Sequence, residues 1–228
     1  MPTLLLINPN TSAAVTELLA QHARALAPAG ATLHAVSAPF GAAYIATAQA
    51  AAVAACAVAA AWQQHLAAHG PPDAVLVACF GDPGVARLRQ MTAVPVLGLA
   101  EVAMREAHAL GRYAIVTGGA AWRPMLQTLA AELGLADRLT RVVTVERTGA
   151  ELLADPAAAQ SMLLQACHEA LAEGGVQSIV IGGAALADLA APLAGQVQVP
   201  LIDNVRSALR SAWHVACVIA HQRSPEKP

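Results

Sequence analysis

Asp73-Ala74-Val75-Leu76-Val77-Ala78-Cys79 is followed, one short helix later, by Val94-Pro95-Val96-Leu97. The same pattern returns as Gln177-Ser178-Ile179-Val180-Ile181-Gly182-Gly183 and then Val199-Pro200-Leu201-Ile202. The first run of each pair is a short apolar stretch, the signature of a strand buried on both faces in a parallel sheet. The second run leads into a helical stretch, with Glu101 and Arg105 in one case and Arg206 and Arg210 in the other. The openings also match: Leu4-Leu5-Leu6-Ile7-Asn8 then a helix, against Tyr113-Ala114-Ile115-Val116-Thr117 then a helix. Two homologous α/β lobes are the economical reading of this internal repeat.

Working outward, strands are expected at 3–8, 31–36, 74–79, 95–98, 112–117, 140–145, 177–182 and 199–202, with helices between them and a last helix over about 204–221. The fold class is therefore α/β, with a mostly parallel sheet flanked by helices in each lobe. The first lobe takes residues 1–98 plus 204–228 and the second takes 99–203. If a pseudo-twofold axis relates them, Cys79 and Gly183 face each other across a cleft. Ligands of such sheets bind beyond the carboxyl ends of the strands, where these loops lie.

Composition narrows the function. The chain has 228 residues, is 57% hydrophobic and only 3% aromatic, and much of its apolar content is alanine, so close helix–sheet packing is expected. A formal net charge of −2 gives no reason to expect nucleic acid as a partner. Lys227 is the only lysine, which excludes a P-loop. The segment 40–62 is uncharged and long enough to span a bilayer, but it is mostly alanine interrupted by Tyr44, Thr47 and Gln49, so a buried helix is the expected outcome. Within it, an alanine-rich helix over 43–61 could serve as an interface in a homo-oligomer. The four cysteines form no C-x-x-C pair and the first strand starts at Thr3 with no leader before it. Free thiols in a reducing cytoplasm are expected.

Two loops carry candidate chemistry. Asn8-Pro9-Asn10-Thr11-Ser12 leaves the first strand and opens the first helix, which offers either an anion or amide site or a simple helix cap. Cys79-Phe80-Gly81-Asp82-Pro83-Gly84 leaves a buried strand before another helix. A thiol there can be acidified by the helix dipole and loop N–H groups, or it can be a small buried apolar residue. Cys56 and Cys167 fit the second description. His65 and His69 share a helix face but lack a third ligand at suitable spacing, and His214, Cys217 and His221 line one side of the last helix. Both sets read as surface or packing residues, so no metal is expected. Phe40, Tyr44 and Ile45 follow the second strand, where they either shape an apolar pocket or belong to the core.

Together these motifs resemble the hydantoin and allantoin racemase branch of the Asp/Glu racemase superfamily. The resemblance covers nearly the whole chain. It rests on Ile7-Asn8-Pro9-Asn10-Thr11-Ser12 and on Ala78-Cys79-Phe80-Gly81-Asp82-Pro83-Gly84. Pro95-Val96-Leu97-Gly98-Leu99-Ala100-Glu101, Val116-Thr117 and Val199-Pro200-Leu201-Ile202-Asp203 support it. It implies two pseudo-symmetric lobes with the active site between them, and proton transfer beside a carbonyl of a small-molecule substrate without metal or cofactor. It also implies that two cysteines act from opposite faces of the substrate. Cys79 is one of them. Asn8, Asn10 and Ser12, with Phe80 and Gly81 backbone groups after Cys79, would hold substrate oxygens. Thr117, Gly118, Gly182 and Ala184 would give the mirrored contacts.

The departure is at Gly183, where the family carries its second cysteine: the stretch here is Gly182-Gly183-Ala184-Ala185-Leu186. One thiol tends to return a proton to the face it left, whereas racemisation needs delivery to the other face. Three readings stay open. The chain is a racemase acting on a hydantoin-like or amino-acid-like substrate, with water or Asp188 replacing the missing acid. Alternatively it is a single-cysteine decarboxylase of a malonate-type acid, or a degenerate protein that only binds a small molecule.

Overall fold

The computed structural model describes residues 1–147, 149–187 and 189–223; Asp188 and Lys227 lie outside them. Among the described residues eight strands and eight α-helices follow one another. They run β1 (Thr3–Asn8), α1 (Ala13–Ala25), β2 (Thr32–Ser37), α2 (Ala48–His69), β3 (Ala74–Val77), α3 (Val85–Met91), β4 (Val96–Gly98) and α4 (Leu99–Leu110). Then come β5 (Tyr113–Gly118), α5 (Trp122–Glu132), β6 (Leu139–Val145), α6 (Gly149–Ala154), α7 (Pro156–Leu171), β7 (Ser178–Gly182), β8 (Leu201–Asp203) and α8 (Asn204–Arg223). Strands and helices alternate, except that α6 and α7 are consecutive and only short 3₁₀ turns separate β7 from β8. Every expected strand forms, with ends within two residues of the expected ones.

The chain divides into two compact units, Met1–Leu99 together with the chain from Ala208, and Ala100–Ser207. Each is built on a four-stranded parallel sheet, ordered β2-β1-β3-β4 in the first and β6-β5-β7-β8 in the second. The repeat seen in the sequence is thus a repeat of topology. It extends to single hydrogen bonds. The Asp73 carboxylate accepts from the Thr3 N–H at 2.8 Å, and the Gln177 amide oxygen accepts from the Arg112 N–H at 2.9 Å. In each unit this side chain precedes one central strand and ties it to the start of the other. The prolines act alike: Pro95 and Pro200, just before the short edge strands, accept from Val75 and Ile179 at 2.9 and 3.0 Å. Proline lacks the donor a central strand needs, but at the start of an edge strand it still offers its carbonyl.

The central strands are apolar because helices cover both sheet faces. Leu4, Leu5, Leu6, Ile7 and Val75–Val77 are fully buried. Leu5, Ile7, Val75 and Val77 form the first core with Val58, Ala61 and Trp62 of α2 and Val85 and Leu88 of α3. In the second unit Val116, Ile179 and Ile181 pack with Leu163, Ala166 and Cys167 of α7. The Trp213 indole donates to the Ala23 carbonyl at 2.9 Å, and Arg223 pairs with Asp73 at 3.0 Å, which anchors the end of α8 to the first unit.

Among the described residues, α2 is the one helix long and apolar enough to cross a bilayer. It starts at Ala48, capped by the Thr47 hydroxyl accepting from Ala50 N–H, so Tyr44 and Ile45 precede it instead of opening it. Ala54, Ala57, Val58, Ala61, Trp62 and His65 make up much of its buried face.

The Cys79 loop depends on how tightly α2 lies against it. Gly84 has φ +88°, and a Cβ there would sit 3.1 Å from the Ala55 backbone and from Val58 Cβ. Gly84→Ala is expected to destabilise the protein by about 1–3 kcal/mol, through backbone strain and crowding together. Urea denaturation followed by circular dichroism measures this; an unchanged midpoint would show that the loop moves freely off α2.

Candidate functional site

Strand β3 ends at Val77, two residues earlier than expected. The Ala78 N–H still donates to Ile7 O at 2.8 Å, and the chain then turns: the Asp82 N–H donates to Cys79 O at 3.1 Å and the Val85 N–H to Asp82 O at 3.2 Å. The turn passes through Gly81 (φ +142°), Asp82 (φ +53°) and Gly84. Cys79 is 8% exposed, Phe80 is buried and Gly81 is half-buried.

Of the two alternatives for this thiol, burial favours the small buried residue over the acidified one. The Cys79 thiol is pushed up to about 12, first by loss of solvation and second by the Asp82 carboxylate. The helix dipole does not acidify it: α3 begins only at Val85, with Asp82 standing between. Both effects favour the neutral thiol form of Cys79. Asp82 was quoted in the motif but given no role by sequence reasoning. Its partner in space is Gly98: a Cβ at Gly98 would fall on the Asp82 carboxylate, so the glycine opens the place where Asp82 sits.

The neighbouring loop is held by Asn8, which is fully buried. Its Nδ2 donates to Asn10 Oδ1 at 2.8 Å, Ser12 O at 3.2 Å and Thr16 Oγ1 at 2.9 Å, and its Oδ1 accepts from the Asn10 N–H at 3.2 Å. Asn10 Oδ1 also accepts from the Ser12 N–H at 2.9 Å, and Ser12 caps α1 by accepting from Val15 N–H. The Asn8 side chain is thus engaged in shaping its own loop. The 38–47 loop closes over it, with Thr11 N–H donating to Ala42 O at 3.1 Å and Ala38 N–H to Asn8 O at 2.8 Å. In that loop Ile45 is core, Tyr44 is half-buried and Phe40 is exposed.

In the second unit Thr117 and Gly182 are partners in the β5–β7 register, and Gly118 ends β5. Thr117, Gly118 and Gly182 are buried, while Gly183 and Ala184 are half-buried. Gly183 has φ +135°, a conformation L-residues rarely adopt, and a Cβ there would lie 3.2 Å from Leu186 Cγ. The backbone at Gly183 is thus in a conformation that favours glycine.

One further group differs from expectation. Among the described residues, His34, His65 and His69 are the one set of three or more His, Cys, Asp or Glu side chains close enough to share an ion. The third ligand missing from the sequence comes from β2, with no local spacing to announce it. His65 is lowered to about 4 by burial and by the two other imidazoles, and His34 is lowered by burial and by His69. His214, Cys217 and His221 do not form such a set.

The structure thus places a buried thiol two residues past a central parallel strand, beside an asparagine-organised loop. Residues 4–212 match the family model of Asp/Glu/hydantoin racemases. This chain belongs to the Asp/Glu/hydantoin racemase family. A hydantoin racemase from Paenarthrobacter aurescens is 33% identical over 217 residues, covering 92% of this chain and 89% of that protein. The solved structure of an allantoin racemase from Klebsiella pneumoniae covers all of this chain and 95% of its own, at 30% identity and a TM-score of 0.85. That of an allantoin racemase from Pseudomonas fluorescens gives 29% identity and a TM-score of 0.87, over 95% and 91%. Membership of the racemase family makes this chain an isomerase by class.

Asp82→Asn removes the charge that raises Cys79 and keeps a residue tolerant of positive φ. Cys79 should then alkylate with iodoacetamide about three- to tenfold faster at pH 8, because thiolate fraction scales tenfold per unit of pKa. Burial should still keep it slower than exposed Cys56. Peptide-resolved mass spectrometry reads both rates; an unchanged Cys79 rate would remove Asp82 from the account.

Proposed function

We propose that this racemase-family enzyme transfers a proton at a carbon beside a carbonyl of a hydantoin-like or amino-acid-like substrate, with Cys79 as the only thiol at the reacting carbon. The observation that supports this reading is the buried Cys79 two residues past the central strand β3, at the sheet end that also carries Asn8; to remove a substrate proton the thiol first gives its own proton to water and acts as the thiolate. Asn10 is the best-suited substrate contact of its loop. Asn8 fixes Asn10 by two hydrogen bonds, and Asn10 Nδ2 has no partner among the described residues. Asn8 is then a positioning residue and Ser12 principally a cap. Phe80 and Gly81 backbone groups would supply donors for the developing enolate oxygen, with Thr117, Gly118, Gly182 and Ala184 as the counterpart contacts.

Gly183 corresponds to Cys79 by strand register: it follows the Gly182 paired with Thr117, as Cys79 follows the Ala78 bonded to Ile7. Its glycine backbone supports a second reading. A malonate-type acid that loses carbon dioxide leaves an enolate-like carbanion, which takes the S–H proton of Cys79, and water then reprotonates the thiolate. That sequence needs one donor that rests as a thiol, whereas racemisation needs an opposing acid as well. Family membership keeps racemase-type transfer first. The substrate is a small organic molecule; no nucleic acid, membrane or cofactor enters this reading.

The deciding experiment follows an enantiopure 5-substituted hydantoin in D₂O, by proton NMR for exchange and polarimetry for inversion. Cys79→Ser should reduce exchange by at least about 100-fold, the scale of one placed acid–base group. Exchange with inversion establishes the racemase and requires a second acid. Exchange with retention identifies one-base chemistry and directs the assay to carbon dioxide release from malonates. Exchange that survives in Cys79→Ser would overturn the assignment of Cys79.

A further inference from the structure

Three imidazoles converge on the N-terminal half of edge strand β2, away from the strand ends that carry Asn8 and Cys79. His65 and His69 stand one helical turn apart on α2, and His34 projects from β2 opposite them. Ring centroids are 4.4 Å apart for His34–His69, 4.9 Å for His34–His65 and 5.1 Å for His65–His69. One ring nitrogen from each lies within 4.8 Å of the other two. His65 is only 5% exposed, yet no hydrogen bond from any of the three rings is present among the described residues. The ring nitrogens of His34 and His65 are not among the fully buried atoms that lack a partner, so they open onto accessible space where a ligand can reach them. The three rings also line a cavity of about 480 Å³, which leaves room for a ligand to enter.

We propose that His34, His65 and His69 bind one divalent transition-metal ion of the zinc type. The donor set is all imidazole, which favours zinc, nickel or copper over magnesium or calcium. Three histidines from two elements, two of them at i and i+4 on a helix, leave the fourth position open to the cavity, where water can occupy it. Tetrahedral ligation at about 2.0–2.1 Å brings ligand nitrogens to about 3.4 Å from one another. His69, exposed on the last turn of α2 before Gly70, has the freedom to close that gap. The ion would clamp the end of α2 onto β2 and so protect an edge strand; it takes no part in the proton transfer.

The test uses full-length protein without a histidine tag, stripped with a chelator and dialysed. Calorimetric titration with Zn²⁺ should give one ion per chain, and Co²⁺ should develop the visible bands of a tetrahedral nitrogen site. His34→Gln and His69→Gln should each weaken binding by at least about tenfold. Zinc should raise the melting temperature of the wild type and not that of His69→Gln, since an ion that binds only the folded state stabilises it. His69 is exposed, so its variant keeps the fold, and an unchanged circular dichroism spectrum verifies this. Cys79→Ser should bind zinc as the wild type does. The proposal is overturned by no binding at about 100 µM free zinc, by equal affinity in both histidine variants, by loss of binding in Cys79→Ser, or by Mg²⁺ binding as well as Zn²⁺.

Discussion

The pairing of β1 with β3 is the interaction on which the first unit depends. Both strands are buried on both faces, so each backbone N–H and C=O must find its partner in the neighbouring strand, because no water reaches it. That requirement sets the register from Leu4 against Ala74 to Ile7 against Val77 and leaves no latitude at the strand ends. Asn8 and Cys79 are therefore delivered to the same edge of the sheet before any side chain has acted. The β5–β7 pair imposes the same condition on Thr117 and Gly182.

Beyond the strand ends, the character of the site is set by crowding. Asp82 turns at positive φ into the space that Gly98 leaves open, and Gly84 lets the turn pass against α2. Enclosure by this turn removes solvent from Cys79, and the Asp82 charge adds to the effect. Both effects raise the pKa of the thiol and favour its neutral form. Asn8 works similarly on its own loop: its hydrogen bonds are directed inward, which leaves Asn10 as the group with a nitrogen to offer.

Helix α2 links these effects. Its alanines allow close approach to the sheet, which explains a segment so poor in charge and in bulk. Val58 and Trp62 enter the core, Ala55 and Val58 bound the Cys79 turn, and His65 and His69 face β2. Packing on a sheet, a turn and an edge strand accounts for the buried face of this helix, while Ala52, Val53 and Cys56 on its other face are exposed.

The amino-acid sequence by itself determined the eight strands, the two α/β halves and the residues of the Asn8 and Cys79 loops. Short apolar runs, their flanking prolines and their repetition are local signals, and they survive reading along one dimension. The correspondence of Gly183 with Cys79 in the internal repeat was also legible. What only the tertiary structure decided were properties that arise between elements. The upward shift of the Cys79 thiol follows from burial and from Asp82, and the room for Asp82 follows from Gly98, sixteen positions on. The inward use of Asn8 follows from Thr16 and Asn10 closing around it. The third histidine comes from β2, far from His65 and His69 in the chain, because helix periodicity can announce two ligands on one face but not a partner brought in by a sheet.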